Sequence, residues 1–230
     1  MARETYQESL EELRADVVGM GALVAGRLED ALTALAEGDD DLAREVVKGD
    51  GAVNERYVAL ESRCVELYAL QQPVAGDLRF VTASFKILTD LERVGDLATN
   101  LAGYGLDVEG DTGEAAASVA LGGLAEVGRA ALDLVERALA AYETGDVEAC
   151  RQVAADDDEV DALCHRAGET VARDLIEREA DGSAWGVETL LDDVSRLLLT
   201  IRDIERVGDH AVNIAARTLY MVENERELIY

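Results

Sequence analysis

An eleven-residue motif occurs twice in this chain and limits the folds that it can adopt. Residues 90–100, DLERVGDLATN, match residues 203–213, DIERVGDHAVN, at eight of eleven positions. Earlier in each half, residues 50–54 (DGAVN) resemble residues 157–161 (DDEVD). A repeat of about 110 residues is too long for one solenoid unit and is typical of duplicated helical bundles. The chain is therefore expected to have two similar halves.

The composition predicts that both halves are helical. The 230 residues include one proline, two phenylalanines and one tryptophan, and they are rich in helix formers. Apolar residues recur every three or four positions in six stretches, as in amphipathic helices. These stretches are residues 5–37, 39–72 (capped by Asp39 and ended by Pro73), 74–106, 114–143, 147–179 and 187–224. We expect an all-α fold of two tandem three-helix bundles, residues 1–108 and 114–230, with a linker at 107–113 and a loop at 181–186.

The charge excludes some classes of partner. Asp and Glu outnumber Lys and Arg by 49 to 21, which gives a formal charge of −28. Binding to nucleic acid or to an anionic membrane draws on basic residues, so neither is expected as a direct partner. Acids spread along the whole chain indicate a salt-rich cytoplasm, as in a halophilic archaeon, where salt screens self-repulsion; ordinary solvated helix faces are the alternative. The N-terminal stretch has no apolar h-region and no run of 18 apolar residues occurs, so we expect a cytoplasmic protein.

The cysteines and histidines indicate no familiar catalytic or metal motif. Cys64, Cys150 and Cys164 form no CxxC pair, and an odd count argues against a disulfide framework, so we expect reduced core residues. Neither His165 nor His210 follows a glutamate by three residues, so the Glu-x-x-His signature of di-iron bundles is absent. No catalytic triad, glycine-rich phosphate loop or zinc spacing is present either.

Four carboxylates in the repeated motifs are predicted to lie on apolar helix stripes. At 100° per residue, Glu205 and Asp209 continue one stripe, and Glu92 and Asp96 continue the equivalent one. The apolar members are Val187, Val194, Leu198, Ile201 and Val212 in the second half and Leu78, Val81, Phe85 and Leu88 in the first. Buried carboxylates one turn apart repel each other, so a cation is expected between them.

The preceding helix in each half adds a second oxygen-bearing pair, Asp157 with Asp161 and Asp50 with Asn54. Antiparallel packing could bring the pairs together, and four such side chains favour a hard cation such as Mg²⁺, Mn²⁺, Ca²⁺ or iron. The alternative is that Arg93, Arg206 or other arginines neutralise the carboxylates without metal.

Other residues of the motif have different expected roles. Asp90 and Asp203 project to the opposite side and are expected to cap a helix or pair elsewhere. Asn100 and Asn213 are candidates for outer-shell donors or spare ligands, and helix-to-helix hydrogen bonds are the simpler interpretation. The helical glycines Gly95 and Gly208 cost about 1 kcal/mol each relative to Ala, which indicates close helix approach.

Several features are shared with one known family: the two DxERVGD motifs, the upstream acidic pairs, the segment 73–79 (PVAGDLR) and the length. Through them the chain resembles the PhoU family of phosphate-transport regulators over nearly its full length. The resemblance implies two similar three-helix bundles, each holding metal on its surface through E(D)xxxD motifs, often as a multinuclear cluster of iron or of Mn, Mg or Zn. Carried over by position, the metal residues are Asp50, Asn54, Glu92 and Asp96 in the first half and Asp157, Asp161, Glu205 and Asp209 in the second. Asn54 departs from the carboxylate pattern, so we expect tighter binding in the second half.

The resemblance also implies a non-enzymatic negative regulator of phosphate uptake. Its expected partners are the ATPase subunit of the phosphate ABC transporter and a sensor kinase or other regulator. It is expected to associate with the membrane only through the transporter and to form a homodimer. Three alternatives stay open. These are a related regulator of a sodium- or proton-driven phosphate carrier, a metal-dependent phosphohydrolase, and a purely structural helical module.

Overall fold

A computed structural model describes residues 2–70, 75–106, 114–179, 184–225 and 227–228. The described residues form seven α-helices and contain no β-strand, which confirms the all-α prediction. The helices are α1 (Ala2–Glu37), α2 (Asp40–Lys48), α3 (Asp50–Leu70), α4 (Ala75–Leu106), α5 (Glu114–Thr144), α6 (Val147–Glu179) and α7 (Ala184–Glu223). The predicted linker at 107–113, Pro73 and residues 181–183 of the predicted loop lie outside the described residues. The division into domains at 108 and 114 thus stays a prediction.

The second predicted helix is broken at Gly49 into α2 and α3. The backbone N–H of Gly49 donates to the carbonyls of Glu45 (3.0 Å) and Val46 (3.1 Å) and closes α2. The guanidinium of Arg27 from α1 occupies the space where a Cβ at residue 49 would lie, and it also donates to the carbonyl of Val46. The break coincides with this tertiary contact. The sequence did not predict it, because a single glycine does not distinguish an interruption from a continuous helix.

The turns that end α1 and α5 are equivalent in the two halves. Gly38 and Gly145 adopt positive φ angles of 67° and 70°, a conformation that glycine tolerates at a helix C-terminus. The next residue then begins the following helix: Asp39 Oδ1 accepts from the backbone N–H of Leu42 (3.0 Å), and Asp146 accepts from that of Ala149. The predicted cap at Asp39 is confirmed.

Helices α1 to α4 pack together, as do α5 to α7, and the pairs α1–α5 and α4–α7 join the halves. The buried apolar residues of both halves form one continuous core. At the α1–α5 contact, a Cβ on Gly21 would collide with Leu139, and a Cβ on Gly128 would collide with Leu32. Since Gly21 and Leu32 occupy the positions in the first half that Gly128 and Leu139 occupy in the second, this reciprocal packing relates the halves by a pseudo-twofold axis.

Cys64, Cys150 and Cys164 are buried and free, as predicted. Burial raises the pKa of each thiol, to about 11 for Cys64 and Cys150 and to about 12 for Cys164. No helix in the described part of the chain is long and apolar enough to cross a membrane.

Candidate metal centres

The prediction that the motif carboxylates point into the core is wrong for three of the four. Glu205, Asp209 and Asp96 are exposed, and Glu92 is half-buried. Leu198, on the same predicted stripe, is 46% exposed. The core side of α7 keeps Ile201 from that stripe and is otherwise formed by Ile204, Val207, Ala211 and Ile214. Because α4, α5 and α6 all pack on α7, its buried face is set by three neighbours and is displaced from the stripe that a single helical wheel indicates.

The second cluster comprises Asp157, Asp161, Glu205 and Asp209, and Asp157 is its buried member. Asp157 lies among the core residues Cys150, Val153, Val160 and Cys164 on the inner side of α6 and is only 8% exposed. It fits there because α7 has a glycine opposite: a Cβ on Gly208 would collide with Oδ1 of Asp157. The predicted close approach at Gly208 is therefore confirmed. Oδ1 has no hydrogen-bond partner within the described residues.

The electrostatics of the second cluster disfavour its full ionisation. Burial, followed by repulsion from Asp161 and Asp209, raises the pKa of Asp157 to about 7. Burial and the neighbouring carboxylates likewise raise the pKa of Asp161 and of Glu205. The exposed His165 partly opposes the increase at Glu205. The four carboxylates thus act on one another electrostatically, and the most deeply buried one has an unsatisfied oxygen.

The first cluster comprises Asp50, Asn54, Glu92 and Asp96, and its hydrogen bonding differs. Asn54 Nδ2 donates to Oδ2 of Asp50 at 3.1 Å, and the Thr99 hydroxyl shares its proton between Oδ1 of Asp50 and the carbonyl of Gly95, each 3.2 Å from Oγ1. Both oxygens of Asp50 therefore have a donor within the chain itself. At Gly95, the counterpart of Gly208, a Cβ would lie 3.0 Å from Cγ1 of Val53, so α3 and α4 also approach closely.

Charges from the second half act on the first cluster. Burial and repulsion from Asp96 raise the pKa of Glu92, while Arg93 and His210 oppose this increase. Burial and Asp50 raise the pKa of Asp96, and Arg206 opposes that increase. The alternative that arginines neutralise the carboxylates therefore applies in part to the first cluster.

The two motifs also bind each other across the α4–α7 contact. Asp90, 6% exposed, accepts from Asn213 Nδ2 (3.5 Å) and lies 2.9 Å from His210 Nδ1. The side chain of Asp203, 0% exposed, accepts from Asn100 Nδ2 (3.4 Å) and from the Tyr104 hydroxyl (2.9 Å). Arg202 and Arg206 also contact Asp203, at 3.0 and 3.5 Å.

These contacts confirm that Asn100 and Asn213 make helix-to-helix hydrogen bonds and that Asp90 and Asp203 pair elsewhere. Sequence reasoning missed that each bond joins one repeat to the other, and it gave no role to Tyr104. The sequence does contain a pattern that indicates this pairing, since both motifs have an aspartate and an asparagine ten residues apart. With a pseudo-twofold axis between the halves, the aspartate of each motif meets the asparagine of the other.

The donor types in both clusters suit a hard cation. In the part of the chain that the structure describes, no three or more His, Cys, Asp or Glu side chains are already arranged to hold one. The second cluster fits a cation better, because the orphaned buried oxygen of Asp157 and the repulsion among its neighbours would both be relieved by positive charge. At the first cluster, the internal donors to Asp50 compete with a metal.

Comparison with protein families matches this chain to the PhoU domain twice, over residues 17–104 and 124–218. The phosphate-specific transport system accessory protein PhoU of Edwardsiella tarda is 31% identical over 220 residues, which cover 96% of this chain and 85% of that protein. The crystal structure of PhoU from Pseudomonas aeruginosa is 28% identical, with a TM-score of 0.78 over 96% of this chain and 100% of that chain. That of the phosphate transport system regulatory protein PhoU from Streptococcus pneumoniae is 26% identical, with a TM-score of 0.79 over 96% and 98%. The chain therefore belongs to the PhoU family.

Proposed function

We propose that this chain is a negative regulator of phosphate uptake that acts as a metal-binding adaptor on the ATPase subunit of a phosphate ABC transporter. The observation that carries the proposal is the family relationship, which extends over both repeats. The relatives are named as accessory and regulatory proteins of phosphate transport, which supports a regulatory role and not an enzymatic one.

The charge of the chain supports an adaptor that acts through another protein. With a net charge of −28, it is a poor ligand for nucleic acid or for an anionic bilayer. An effect on transcription would therefore pass through a partner such as a sensor kinase, and membrane association would pass through the transporter. A cytoplasmic homodimer in a saline cell is part of the same proposal.

The second cluster supports the metal-binding part of the proposal. Asp157 and Asp161 from α6 and Glu205 and Asp209 from α7 would hold the cation after their side chains turn toward it. A bound cation would supply positive charge that neutralises the repelling carboxylates and links the two helices. The matching residues of the first half are Asp50, Asn54, Glu92 and Asp96.

Deletion of the gene tests the regulatory role. In cells grown in high phosphate, deletion should raise the rate of phosphate uptake, and the intact gene should restore it. Unchanged uptake in the deletion strain would contradict the proposal. Affinity purification of the tagged chain from the same cells should recover the ABC-transporter ATPase; recovery of a sodium- or proton-driven carrier instead would assign the chain to that transporter.

Metal analysis tests the cofactor. The purified protein should contain a divalent or trivalent cation, and Glu205→Ala should lose more of it than the matched variant Glu92→Ala. Equal loss in the two variants, or no metal in any of the three proteins, would contradict the expected difference between the clusters.

A further inference from the structure

We propose that only the second cluster takes up a cation and that the first has become an internal contact, with Asn54 and Thr99 as the residues that decide between the two. This inference rests on the proposed metal binding and deepens it. It predicts one class of cation site per chain, although both halves carry the same acidic motif.

The first argument is the state of the equivalent aspartates. Both oxygens of Asp50 have a side-chain donor: Asn54 Nδ2 at 3.1 Å, and the Thr99 hydroxyl, shared with the carbonyl of Gly95, at 3.2 Å. Asp157, its counterpart, is 8% exposed and has an oxygen without a hydrogen-bond partner among the described residues. A buried carboxylate oxygen without a partner is costly, and a cation satisfies it. Binding at Asp50 would first require the existing donors to be displaced.

The second argument is that two substitutions between the repeats account for this difference. The donors to Asp50 are Asn54 and Thr99. By the register of the repeats, the second half has Asp161 in place of Asn54 and Val212 in place of Thr99. A carboxylate at position 161 cannot donate a hydrogen bond when ionised, and valine has no donor at all. The second half therefore lacks both groups that occupy the oxygens of Asp50.

The third argument is charge. When ionised, the first cluster has three carboxylates and the second has four. The lower negative charge reduces what a metal would gain at the first cluster, because fewer carboxylates repel one another there.

Manganese titration of the metal-stripped full-length chain tests the inference. Asp157→Asn should weaken Mn²⁺ binding by at least about tenfold. Asp50→Asn, the matched change in the first cluster, should leave the affinity within about twofold and the stoichiometry unchanged. Equal weakening by both substitutions, or two equivalent sites in the unmodified chain, would overturn the inference while leaving the proposed metal binding in place. No Mn²⁺ binding at all would overturn both.

A gain-of-function variant keeps the test independent of any folding defect in the single substitutions. The double variant Asn54→Asp with Thr99→Val copies the residues of the second cluster into the first. It should acquire a second Mn²⁺ equivalent, and Glu92→Ala should remove that equivalent again. An unchanged stoichiometry in a double variant with native helicity would contradict the role assigned to these two residues.

Discussion

Replacing Asp157 by Asn should stabilise the metal-free protein at pH 8. The pKa of Asp157 rises from 3.8 to about 7, first because of burial and then because of Asp161 and Asp209. The folded state therefore retains a proton between about pH 4 and pH 7 that the unfolded chain releases. The contribution of this proton to stability is complete below about pH 4 and is lost as the pH rises through 7.

The size of the effect follows from the pKa. Each pKa unit corresponds to about 1.36 kcal/mol, so ionised Asp157 lowers the free energy of unfolding by at most about 4 kcal/mol at pH 8. Asn keeps the shape of the side chain without its charge, and its N–H groups can donate to the carboxylates of Asp161 and Asp209. Asp157→Asn should therefore recover up to about 4 kcal/mol at pH 8 and close to none at pH 4.

Urea denaturation in EDTA, at fixed salt and at both pH values, measures this difference. The matched control is Asp158→Asn, which removes a neighbouring exposed carboxylate of α6. Its effect on stability should be small and should reverse only a small part of the pH dependence, because Asp158 raises the pKa of Asp157 less than burial, Asp161 and Asp209 do. A lower stability of Asp157→Asn at pH 8, or the same change at both pH values, would refute the reasoning. With the cation at about 100 times its Kd, the unmodified chain should gain about 2.7 kcal/mol, and Asp157→Asn should gain much less.

Two further predictions concern helix packing. Replacing a helical glycine by alanine normally stabilises a protein by about 1 kcal/mol. Gly208→Ala should not show this stabilisation, because the new Cβ would collide with the carboxylate of Asp157. Gly26→Ala in α1 should show it, because no other atom lies within 4 Å of the new Cβ. Equal thermal shifts in the two variants would contradict the close approach at Gly208. Tyr104→Phe should reduce the free energy of unfolding by about 1 kcal/mol through loss of the hydrogen bond to the buried Asp203, and an unchanged denaturation midpoint would argue against that bond.

Much of the helical architecture could be predicted from local pattern. The features that predicted the helices depend only on neighbours in the chain. They are the recurrence of apolar residues every three or four positions, the scarcity of proline, the cap at Asp39 and the glycines at 38 and 145. Helix ends were therefore predicted to within a few residues. The exception is the break at Gly49, where Arg27 of α1, 22 residues earlier in the chain, makes the contact. The internal repeat also identified the residues of both clusters before their geometry was known.

The depth of each carboxylate could not be predicted in the same way. A helical wheel describes one buried stripe, but α7 packs against three other helices, so Glu205 and Asp209 lie outside its core face. Asp157 is buried because α7 has a glycine at the contact, and the sequence of α6 alone does not show this.

The sequence alone determined that the chain is helical, duplicated and strongly acidic. It also determined which eight positions carry the repeated oxygen-bearing side chains, since these properties depend on composition, on the spacing of apolar residues and on the register of the repeats. Only the tertiary structure decided that Asp157 is buried without a partner, that Asp50 is already hydrogen-bonded, and that each motif binds the other across α4 and α7. The physical reason is that desolvation and hydrogen bonding depend on which helices meet, and residues separated by more than a hundred positions meet at these contacts.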